Sequence, residues 1–289
     1  MKFITKNQIK LPKRENSSHK GDNGLVLLAG GSIGFIGAAA LAGLAALRSG
    51  ADLIKVIAPE KVAWAISAYS PDLVTMKLRG DYFRLKHSPL IENLMEKFDV
   101  LLIGNGIGLK NDTKEFCRKT IKNIKKFKVI DADAIKSISM DDAENSIITP
   151  HSKELEYFLI NSKINKNIIK KILLEKNFFA KSKLIKKTTQ KFLAKNNIIL
   201  LKGKIDAIIS KNKIFYNKTG NAGMTRGGTG DVLAGLCAGF LSQSKDILQS
   251  AVNAAYFNGL IGDILLKKKK GFTYLASDMV EEIKRIKKL

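Results

Sequence analysis

An uncharged run of 23 residues, LVLLAGGSIGFIGAAALAGLAAL from Leu25 to Leu47, constrains the fold of this chain more than any other segment. As one continuous helix it would be long enough to cross a bilayer. Four glycines and a serine between positions 30 and 37 instead divide it into a short β-like run and a helix of about a dozen small residues, and neither piece reaches the ~20 residues that a span needs. We therefore predict a buried strand, a glycine-rich loop and a helix, and we expect no membrane association.

The rest of the chain continues this alternation of short apolar runs with longer helical patterns. Such a pattern is typical of an α/β fold whose sheet is mostly parallel and covered by helices on both faces. No internal repeat or proline-rich linker interrupts it, so we predict a single domain over residues 1–289, with a polar lead-in over residues 1–22. The strands are predicted at Leu25–Ala29, Leu53–Ile57, Val100–Ile103, Val129–Ile130, Ser146–Ile148, Ile198–Leu201 and Ala207–Ile209. The helices are predicted at Ala38–Ser49, Lys61–Tyr69, Asp112–Lys126, Lys153–Ile160, a long lysine-rich one within Asn167–Lys195, Asp231–Ser242, Lys245–Lys267 and Ala276–Lys287.

The net charge of +24 raises the question of a nucleic-acid partner. Of the 50 basic residues, 43 are lysines, and they are spread along the chain. Proteins that recognise nucleic acids depend on arginine for bidentate contacts with bases and usually concentrate their charge on one face. The composition therefore favours solvated helix faces over a nucleic-acid surface.

Cysteine usage and the N-terminal segment indicate a compartment. Cys117 and Cys237 lie far apart in apolar, helix-like surroundings, which is neither a disulfide framework nor a zinc-site spacing. The first 20 residues are polar and lysine-rich, without the apolar core of a secretory signal. We therefore expect a cytoplasmic protein.

Glycine-rich loops follow two of the predicted strands, at the ends where parallel sheets place their ligands. GGSIGFIGA (30–38) follows the first strand and GNGIG (104–108) follows the third. Neither has the G-x-G-x-x-G spacing of a dinucleotide-binding loop, and the chain has no G-x-x-x-x-G-K-[ST] motif. These loops either form tight turns alone or let a ligand approach the backbone closely.

Polar residues at two later strand ends leave similar alternatives open. In VIDADAI (129–135), Asp131 and Asp133 either cap turns or contact a substrate or a metal. In ITPHSKEL (148–155), Thr149 is suited to cap a helix and Pro150 to begin it. His151 would then lie at the helix start, either as a structural residue or as a ligand contact.

The last two loops indicate an anion site. LLKGKIDAIIS (200–210) places Lys202 beside Gly203 at the end of a buried strand, where the lysine is either an exposed turn residue or a phosphate contact. In NAGMTRGGTGDVLAGLCAGFL (221–241), three glycines at a helix start leave backbone N–H groups free to bind an anion. Asp231 either offsets the helix dipole there or takes a proton from an attacking hydroxyl. Together the loops describe one phosphoryl-transfer site, with Lys202 beside the phosphate and Asp231 facing the acceptor.

The ordered set of motifs resembles the ADP/ATP-dependent NAD(P)H-hydrate dehydratase family of the ribokinase-like superfamily. The resemblance runs from LPKRENSSHKGDNG through LLIGNGIG, VIDADAI, TPHSKEL and LLKGKID to GGTGDVL, and so covers nearly the whole chain. It implies a ribokinase-like three-layer sandwich and a repair enzyme that restores NADH or NADPH from the hydrated cofactor at the expense of ADP or ATP. Phosphorylation of the ring hydroxyl would precede elimination of phosphate, with Mg²⁺ accompanying the nucleotide.

The resemblance also implies roles for single residues. Hydrated-cofactor contacts are implied at Ala38, Gly106, His151 and Asp231. Nucleotide contacts are implied at Lys202, Gly203, Lys204, Ile205, Asp206, Gly228, Thr229 and Gly230. Asp231 resembles the catalytic base of the family and the Gly228–Gly230 backbone its anion hole, while no metal ligand is assigned. Two departures from the family pattern affect local placement: Ser152–Lys153 follows His151, and Asp52 stands where glycine is common.

Further expectations concern partners and the donor. The resemblance implies a homotetramer, a preference for ADP over ATP, and a separate NAD(P)H-hydrate epimerase that supplies the S-epimer. The main alternative is another ribokinase-like enzyme, a small-alcohol kinase such as a thiamine-precursor kinase, which would release a stable phosphorylated product. The combination of TPH (149–151) with KGxxD (202–206) favours the dehydratase.

Overall fold

All seven predicted strands are present in the computed structural model, which describes residues 2–269 and 271–288. Over these residues the chain forms one sheet of nine strands. In chain order they are β1 (Leu25–Ala29), β2 (Leu53–Pro59), β3 (Val74–Leu78), β4 (Val100–Ile103), β5 (Phe127–Ile130), β6 (Ser146–Ile148), β7 (Ile198–Leu201), β8 (Asp206–Ile209) and β9 (Ile214–Asn217).

The sheet is parallel except at one edge. In space the strand order is β3-β2-β1-β4-β5-β6-β7-β8-β9. Every neighbouring pair from β3 to β7 is parallel, while β8 is antiparallel to both β7 and β9. This is the mostly parallel sheet that the alternating pattern predicts.

Helices cover both faces of the sheet. Side chains alternate along the buried strands, so that Val26 and Leu28 join one core cluster while Leu27 and Ala29 join the other. The helices are α1 (Ile36–Arg48), α2 (Glu60–Tyr69), α3 (Ser88–Leu94), α4 (Asn111–Asn123), α5 (Ala132–Ile135), α6 (Ser152–Asn161), α7 (Lys166–Leu174), α8 (Phe178–Thr188), α9 (Gln190–Leu193), α10 (Thr229–Ser244), α11 (Ile247–Lys268) and α12 (Ala276–Glu282). The first cluster packs against α1, α2 and α10 to α12, and the second against α3 to α9. The predicted three-layer α/β sandwich is therefore confirmed.

The uncharged segment forms β1, a loop and α1, as predicted. Small residues in both α1 and α10 let these two helices pack directly against each other. A Cβ atom added to Gly235 would lie 2.2 Å from the carbonyl oxygen of Ala42, and one added to Gly239 would lie 2.6 Å from that of Ala46. This close packing brings the start of α10 beside the loop after β1.

The long lysine-rich helix predicted within Asn167–Lys195 is wrong, because three helices, α7 to α9, occupy this region. The backbone of Glu175 is extended, which ends α7. The side chain of Asn177 then accepts hydrogen bonds from the N–H groups of Phe179 and Ala180 and caps α8. The helix predicted at Ala276–Lys287 is also partly wrong, since α12 ends at Glu282 and a 3-10 turn follows over Ile283–Lys288.

The lead-in is tied to the sheet at both of its ends. Phe3 forms a parallel bridge with Tyr216 in β9. The carboxylate of Asp52 accepts hydrogen bonds from the N–H groups of Gly21 (2.8 Å) and Asn23 (3.0 Å) and pairs with Arg14. The departure at Asp52 therefore anchors the segment that leads into β1.

Among the helices of residues 2–269 and 271–288, none combines the length and the apolar character that crossing a bilayer requires.

Candidate active site

The carboxyl ends of β1 and β4 to β7 lie side by side, and the loops that follow them meet there. Backbone hydrogen bonds continue past the strand ends and align these loops. They join Gly104 to Ala29, Asp131 to Ile103, Thr149 to Ile130 and Lys202 to Pro150, with N···O distances of 2.9–3.2 Å. Motifs separated by up to about 200 residues in the sequence are thereby brought to one place.

Lys202 lies at the centre of a polar network within these loops. Its Nζ is 3.1 Å from Oδ1 of Asp131 and 3.5 Å from Oε2 of Glu154. Its side chain is 20% exposed, and both carboxylates are buried. Burial by itself would lower the pKa of Lys202, but the two carboxylates outweigh burial and raise that pKa. Lys202 is therefore a charged residue inside the site and not an exposed turn lysine.

His151 caps α6 next to Lys202. Its Nδ1 accepts hydrogen bonds from the N–H groups of Lys153 (3.1 Å) and Glu154 (3.4 Å), and the Glu154 carboxylate accepts from the N–H of His151 (2.9 Å). Because Nδ1 is an acceptor, the neutral ring carries its proton on Nε2, which lies 3.3 Å from Oε1 of Glu154. Burial lowers the pKa of His151, an effect that Glu154 opposes and Lys202 reinforces. The neutral imidazole is therefore a hydrogen-bond donor at the rim of the site.

Thr149 does not cap α6, contrary to the prediction. Its Oγ1 lies 2.5 Å from Oδ1 of Asp131, to which it donates a hydrogen bond, and the residue is fully buried. A buried carboxylate needs several donors, and Asp131 receives them from Thr149, Lys202 and Asn105. The pairing of Thr149 with a carboxylate 18 residues away outweighs its local tendency to cap a helix.

Asp231 joins the network through Asn105. Nδ2 of Asn105 is 2.7 Å from Oδ1 of Asp231 and 3.0 Å from Oδ2 of Asp131. Burial, and after it the negative charge of Asp131, raise the pKa of Asp231 to about 7, although the Asn105 hydrogen bond and Lys202 act in the opposite direction. A carboxyl group with this pKa can exchange a proton near neutral pH, as a general base must.

The start of α10 presents backbone N–H groups beside Lys202. Gly228 adopts φ +94°, and an added Cβ would lie 2.7 Å from Cδ1 of Leu41, so the turn before the helix requires glycine. A Cβ added to Gly230 would lie 3.5 Å from Nζ of Lys202. The hydroxyl of Thr229 donates a hydrogen bond to the carbonyl oxygen of Met224 (2.8 Å). The backbone N–H of Thr229 is therefore the group of this residue that could contact a ligand. An anion bound here would meet the helix dipole and an ammonium group together.

The loop between β7 and β8 contains the remaining predicted nucleotide contacts. Gly203 and Lys204 are exposed, while Ile205 and Asp206 are half-buried. Asp206 accepts hydrogen bonds from the N–H of Gly203 and from Nδ2 of Asn217, both at 3.1 Å. Burial raises the pKa of Asp206 to about 6 despite these bonds. Its carboxylate therefore shapes the loop, and the exposed backbone beside it is free for a nucleotide.

Ala38 and Gly106 face each other across the first two loops. Gly106 adopts φ +66°, and an added Cβ would lie 2.7 Å from the carbonyl oxygen of Phe35 and 3.0 Å from Cβ of Ala38. Large apolar side chains in the same loops are exposed: Ile33 (59%), Phe35 (64%) and Leu109 (43%). This side of the site is apolar, in contrast to the charged side around Lys202.

Sequence reasoning missed two members of the network, Asn105 and Glu154. Both are buried, at 0% and 4% exposure, and the residues that connect them to the network, Asp131 and Asp231 for Asn105 and Lys202 for Glu154, are distant in the sequence. The only local signal was the spacing from His151 to Glu154, which fits a capping box. Of the two aspartates after β5, Asp131 belongs to the network, whereas Asp133 accepts hydrogen bonds from the N–H of Gly108 and from Lys136 and so fixes a turn.

Within residues 2–269 and 271–288, no three His, Cys, Asp or Glu side chains are grouped closely enough to hold a metal ion. The network combines a glycine-rich helix start, an ammonium group held by two carboxylates and a carboxyl group of near-neutral pKa. Such an arrangement can hold a phosphate and remove a proton from a hydroxyl next to it.

Comparison with known proteins agrees with this geometry. The model of the NAD(P)H-hydrate dehydratase family matches residues 26–285. The chain is 39% identical, over 96% of its length, to the bifunctional NAD(P)H-hydrate repair enzyme Nnr of Methanocaldococcus jannaschii, of which it covers 51%. It is 31% identical to the ADP-dependent (S)-NAD(P)H-hydrate dehydratase of Nitrosopumilus maritimus, with 96% of this chain and 93% of that protein covered.

Its fold resembles the crystal structure of the ADP/ATP-dependent NAD(P)H-hydrate dehydratase of Bacillus subtilis, co-crystallised with ATP and Mg²⁺. The TM-score is 0.81 and the identity 25%, with 99% of this chain and 98% of that chain covered. The chain spans about half the length of the bifunctional relatives that it matches.

Proposed function

The chain belongs to the NAD(P)H-hydrate dehydratase family, and on that premise we propose that it dehydrates the S-epimer of hydrated NADH or NADPH to the intact reduced cofactor. ADP or ATP is consumed, and AMP or ADP is released with phosphate. The activity is a hydro-lyase reaction driven by phosphoryl transfer, and its role is the repair of a damaged metabolite.

One observation carries this proposal: a single polar network connects the carboxylate of Asp231 to Lys202, beside the glycine-rich start of α10. Phosphoryl transfer needs a held phosphate and an acceptor hydroxyl in line with it. The helix start and Lys202 support the first requirement. Asp231 supports the second, since a base in the first turn of α10 would lie next to a phosphate bound at the helix start.

In the first step, the ring hydroxyl attacks the terminal phosphorus of the nucleotide and transfers its proton to Asp231. The bond from that phosphorus to the bridging oxygen breaks, and AMP or ADP leaves. The N–H groups of Gly228–Gly230 and the ammonium group of Lys202 stabilise the charge on the transferring group. His151 donates from Nε2 to the substrate, while Ala38 and Gly106 let the ring approach the backbone.

In the second step, the carbon–oxygen bond to the new phosphate group breaks. The neighbouring ring carbon loses a proton to water, and the double bond of the reduced nicotinamide is restored. Phosphorylation makes this possible because phosphate is a far better leaving group than hydroxide.

The donor is proposed to be ADP in preference to ATP, as the name of the Nitrosopumilus maritimus relative states for that protein. Magnesium is proposed to accompany the nucleotide, a proposal supported by the co-crystallisation of the Bacillus subtilis dehydratase with ATP and Mg²⁺. In the described residues no cluster of acidic or histidine side chains could cage the ion, which fits a magnesium held mainly by phosphates and water. When bound, it would neutralise phosphate charge.

Incubation with hydrated NADH and Mg²⁺, with ADP or ATP in separate reactions, tests the proposal. We expect the absorbance of reduced nicotinamide to return together with one phosphate per cofactor, faster with ADP. The small-alcohol kinase alternative predicts a stable phosphate ester and no return of absorbance. A stable phosphate ester without return of absorbance would show that the protein is a kinase and not a dehydratase.

We also propose a homotetramer located in the cytoplasm. Support for assembly comes from large exposed apolar side chains near the free edge of β3, namely Trp64 (60%), Tyr69 (61%) and Val74 (44%). Light scattering should give four times the chain mass of 31.8 kDa, and a monomer mass would refute the tetramer. Fractionation of the source cells would test the location.

A separate NAD(P)H-hydrate epimerase is proposed as the source of the S-epimer, and the bifunctional naming of several relatives supports a second repair activity beside this one. Equal rates of repair of both epimers by this protein alone would remove the need for that partner.

A further inference from the structure

Asn105, at the end of β4, has no assigned part in the proposed reaction, yet its side chain lies between two carboxylates of the site. It is fully buried, and its Nδ2 contacts both Asp131 (3.0 Å) and Asp231 (2.7 Å). These two acids belong to different loops, after β5 and at the start of α10. Asn105 is therefore the bridge between the Lys202–Asp131 pair and Asp231.

The chemistry of the amide fixes its orientation. The NH₂ group and not the carbonyl oxygen faces both acids, which suits an ionised carboxylate because it only accepts hydrogen bonds, and both amide hydrogens are used. The carbonyl oxygen Oδ1 of Asn105 is buried and has no hydrogen-bond partner within residues 2–269 and 271–288. An unpartnered buried acceptor costs stability, so the two hydrogen bonds that Nδ2 donates are made at the expense of the acceptor on the same amide.

The backbone of the loop holds Asn105 in this position. The backbone carbonyl oxygen of Asn105 accepts a hydrogen bond from the N–H of Gly31 (2.8 Å), and this bond joins the two glycine-rich loops. The flanking Gly104 and Gly106 both have positive φ, at +119° and +66°. The loop therefore turns the Asn105 side chain towards the carboxylates and limits its movement.

We propose that Asn105 is a positioning residue for the dehydratase reaction: its amide holds Oδ1 of Asp231 and directs the second carboxylate oxygen to the acceptor hydroxyl. The inference rests on the proposed function. Within the described residues, Asn105 is the one hydrogen-bond donor to Asp231. Without it, the Asp231 carboxylate is free to rotate away from the acceptor.

The same hydrogen bond influences the ionisation of Asp231. The charged groups facing Asp231 are Asp131 from the loop after β5, Glu154 from α6 and Lys202 from the loop after β7. The two acids disfavour its ionised form, while Lys202 and the Asn105 amide favour it. Removal of the amide should therefore raise the pKa of Asp231, and Asn105→Asp should raise it further by adding another negative charge.

The test compares wild type, Asn105→Ala, Asn105→Asp and a control, Asn258→Ala. Asn258 is also buried with an unpartnered Oδ1, but it lies in α11 outside the network. Asn105→Ala should lower kcat about tenfold or more at pH 7, change KM for ADP less than about threefold, and move the acidic limb of the pH profile upward by about one pH unit. Asn105→Asp should move the acidic limb of the pH profile further upward. The control, Asn258→Ala, should change neither kcat nor the position of that limb.

A titration of the free protein separates this inference from the proposed function. Carbon-13 labelling of the aspartate carboxyl groups lets NMR follow Asp231, whose signal is assigned by its loss in Asp231→Asn. An upward shift of its titration in Asn105→Ala supports the positioning role, and an unchanged titration or unchanged kcat overturns it. Failure of the wild type to dehydrate hydrated NADH would instead refute the proposed function. If Asn105→Ala fails to fold, the isosteric Asn105→Asp variant decides by the same two readouts.

Discussion

Asp231 is kept in surroundings that disfavour its charge. Burial and Asp131 together raise its pKa to about 7, and this shift is greater than the opposing effects of Asn105 and Lys202. A carboxyl group with an ordinary pKa near 4 is a weak base at neutral pH. The shift makes Asp231 a better base, while it costs the folded state the energy of holding a buried charge.

The activity should therefore depend on pH through this carboxyl group. Asp231 acts as a base only when ionised, so kcat/KM for hydrated NADH should rise as pH increases through about 7. With one titrating group, the value at pH 6 should be about a tenth of that at pH 8. Initial rates in overlapping buffers from pH 5.5 to 8.5 would measure this. A flat profile across that range would exclude Asp231 as the base.

The free energy of unfolding should fall as pH rises, whereas the activity rises. The folded-state pKa of Asp231 is raised above its unfolded value of 3.8, so folding loses stability as pH rises from about 4 to about 7. Asp231→Asn removes this penalty and should be more stable than wild type at pH 8 by roughly 1–4 kcal/mol, the lower figure allowing for partial exposure. Urea unfolding at pH 8 and pH 4 would show it, since the difference should nearly vanish at pH 4. A variant less stable at pH 8 would contradict the account.

Single residues differed in how far the sequence could predict them. Lys202 and Asp231 could be predicted because each stands in a local motif, a strand end or a glycine-rich helix start. Asn105 could not, since its hydrogen bonds are to two carboxylates that lie 26 and 126 residues away. Thr149 was predicted wrongly for the same reason, because its hydroxyl donates a hydrogen bond to the distant carboxylate of Asp131 and does not cap α6.

Among the elements, the pair α1 and α10 does most to position the site. These helices hold the loop after β1 and the glycine-rich start of α10 in register through direct backbone contact at Gly235 and Gly239. Their small residues were visible in the sequence, but which helix packs against which was not.

Gly235→Ala should destabilise the protein because the new Cβ would lie 2.2 Å from a backbone carbonyl that cannot move without the helix. We expect a loss of about 1–3 kcal/mol in unfolding free energy, and lower activity because the start of α10 shifts. Gly37→Ala is the matched control in α1, where a Cβ meets nothing within 4 Å and should be neutral or stabilising. Equal stability of both variants in urea would show that the helices are not in close contact.

The elements that were missed lie at the edges of the sheet or are short. β3 is the outermost strand, and its partly exposed residues, VTMKL, lack the apolar run of a buried strand. β9 lies at the opposite edge. The central strands could be predicted because burial on both faces requires continuous apolar sequence.

At the scale of the whole molecule, the charge of +24 and the site are separate features. The lysine-rich helices α7 and α8 have their lysines directed mainly to solvent, whereas Lys202 is enclosed by two acids. Composition alone could not distinguish these two kinds of lysine. The distinction depends on the parallel strand order, which brings together the five loops that follow the carboxyl ends of β1 and β4 to β7.

If these loops bring a nucleotide phosphate to the ring hydroxyl, the hydroxyl oxygen leaves as part of the released phosphate. Hydrated NADH prepared in oxygen-18 water carries the label in that hydroxyl, and the wild-type protein can convert it in ordinary water with ADP and Mg²⁺. Mass spectrometry of the released phosphate should find one oxygen-18 atom for each NADH formed. Unlabelled phosphate, with the label lost to solvent, would show that dehydration and nucleotide cleavage are separate events and would exclude phosphorylation of the ring hydroxyl.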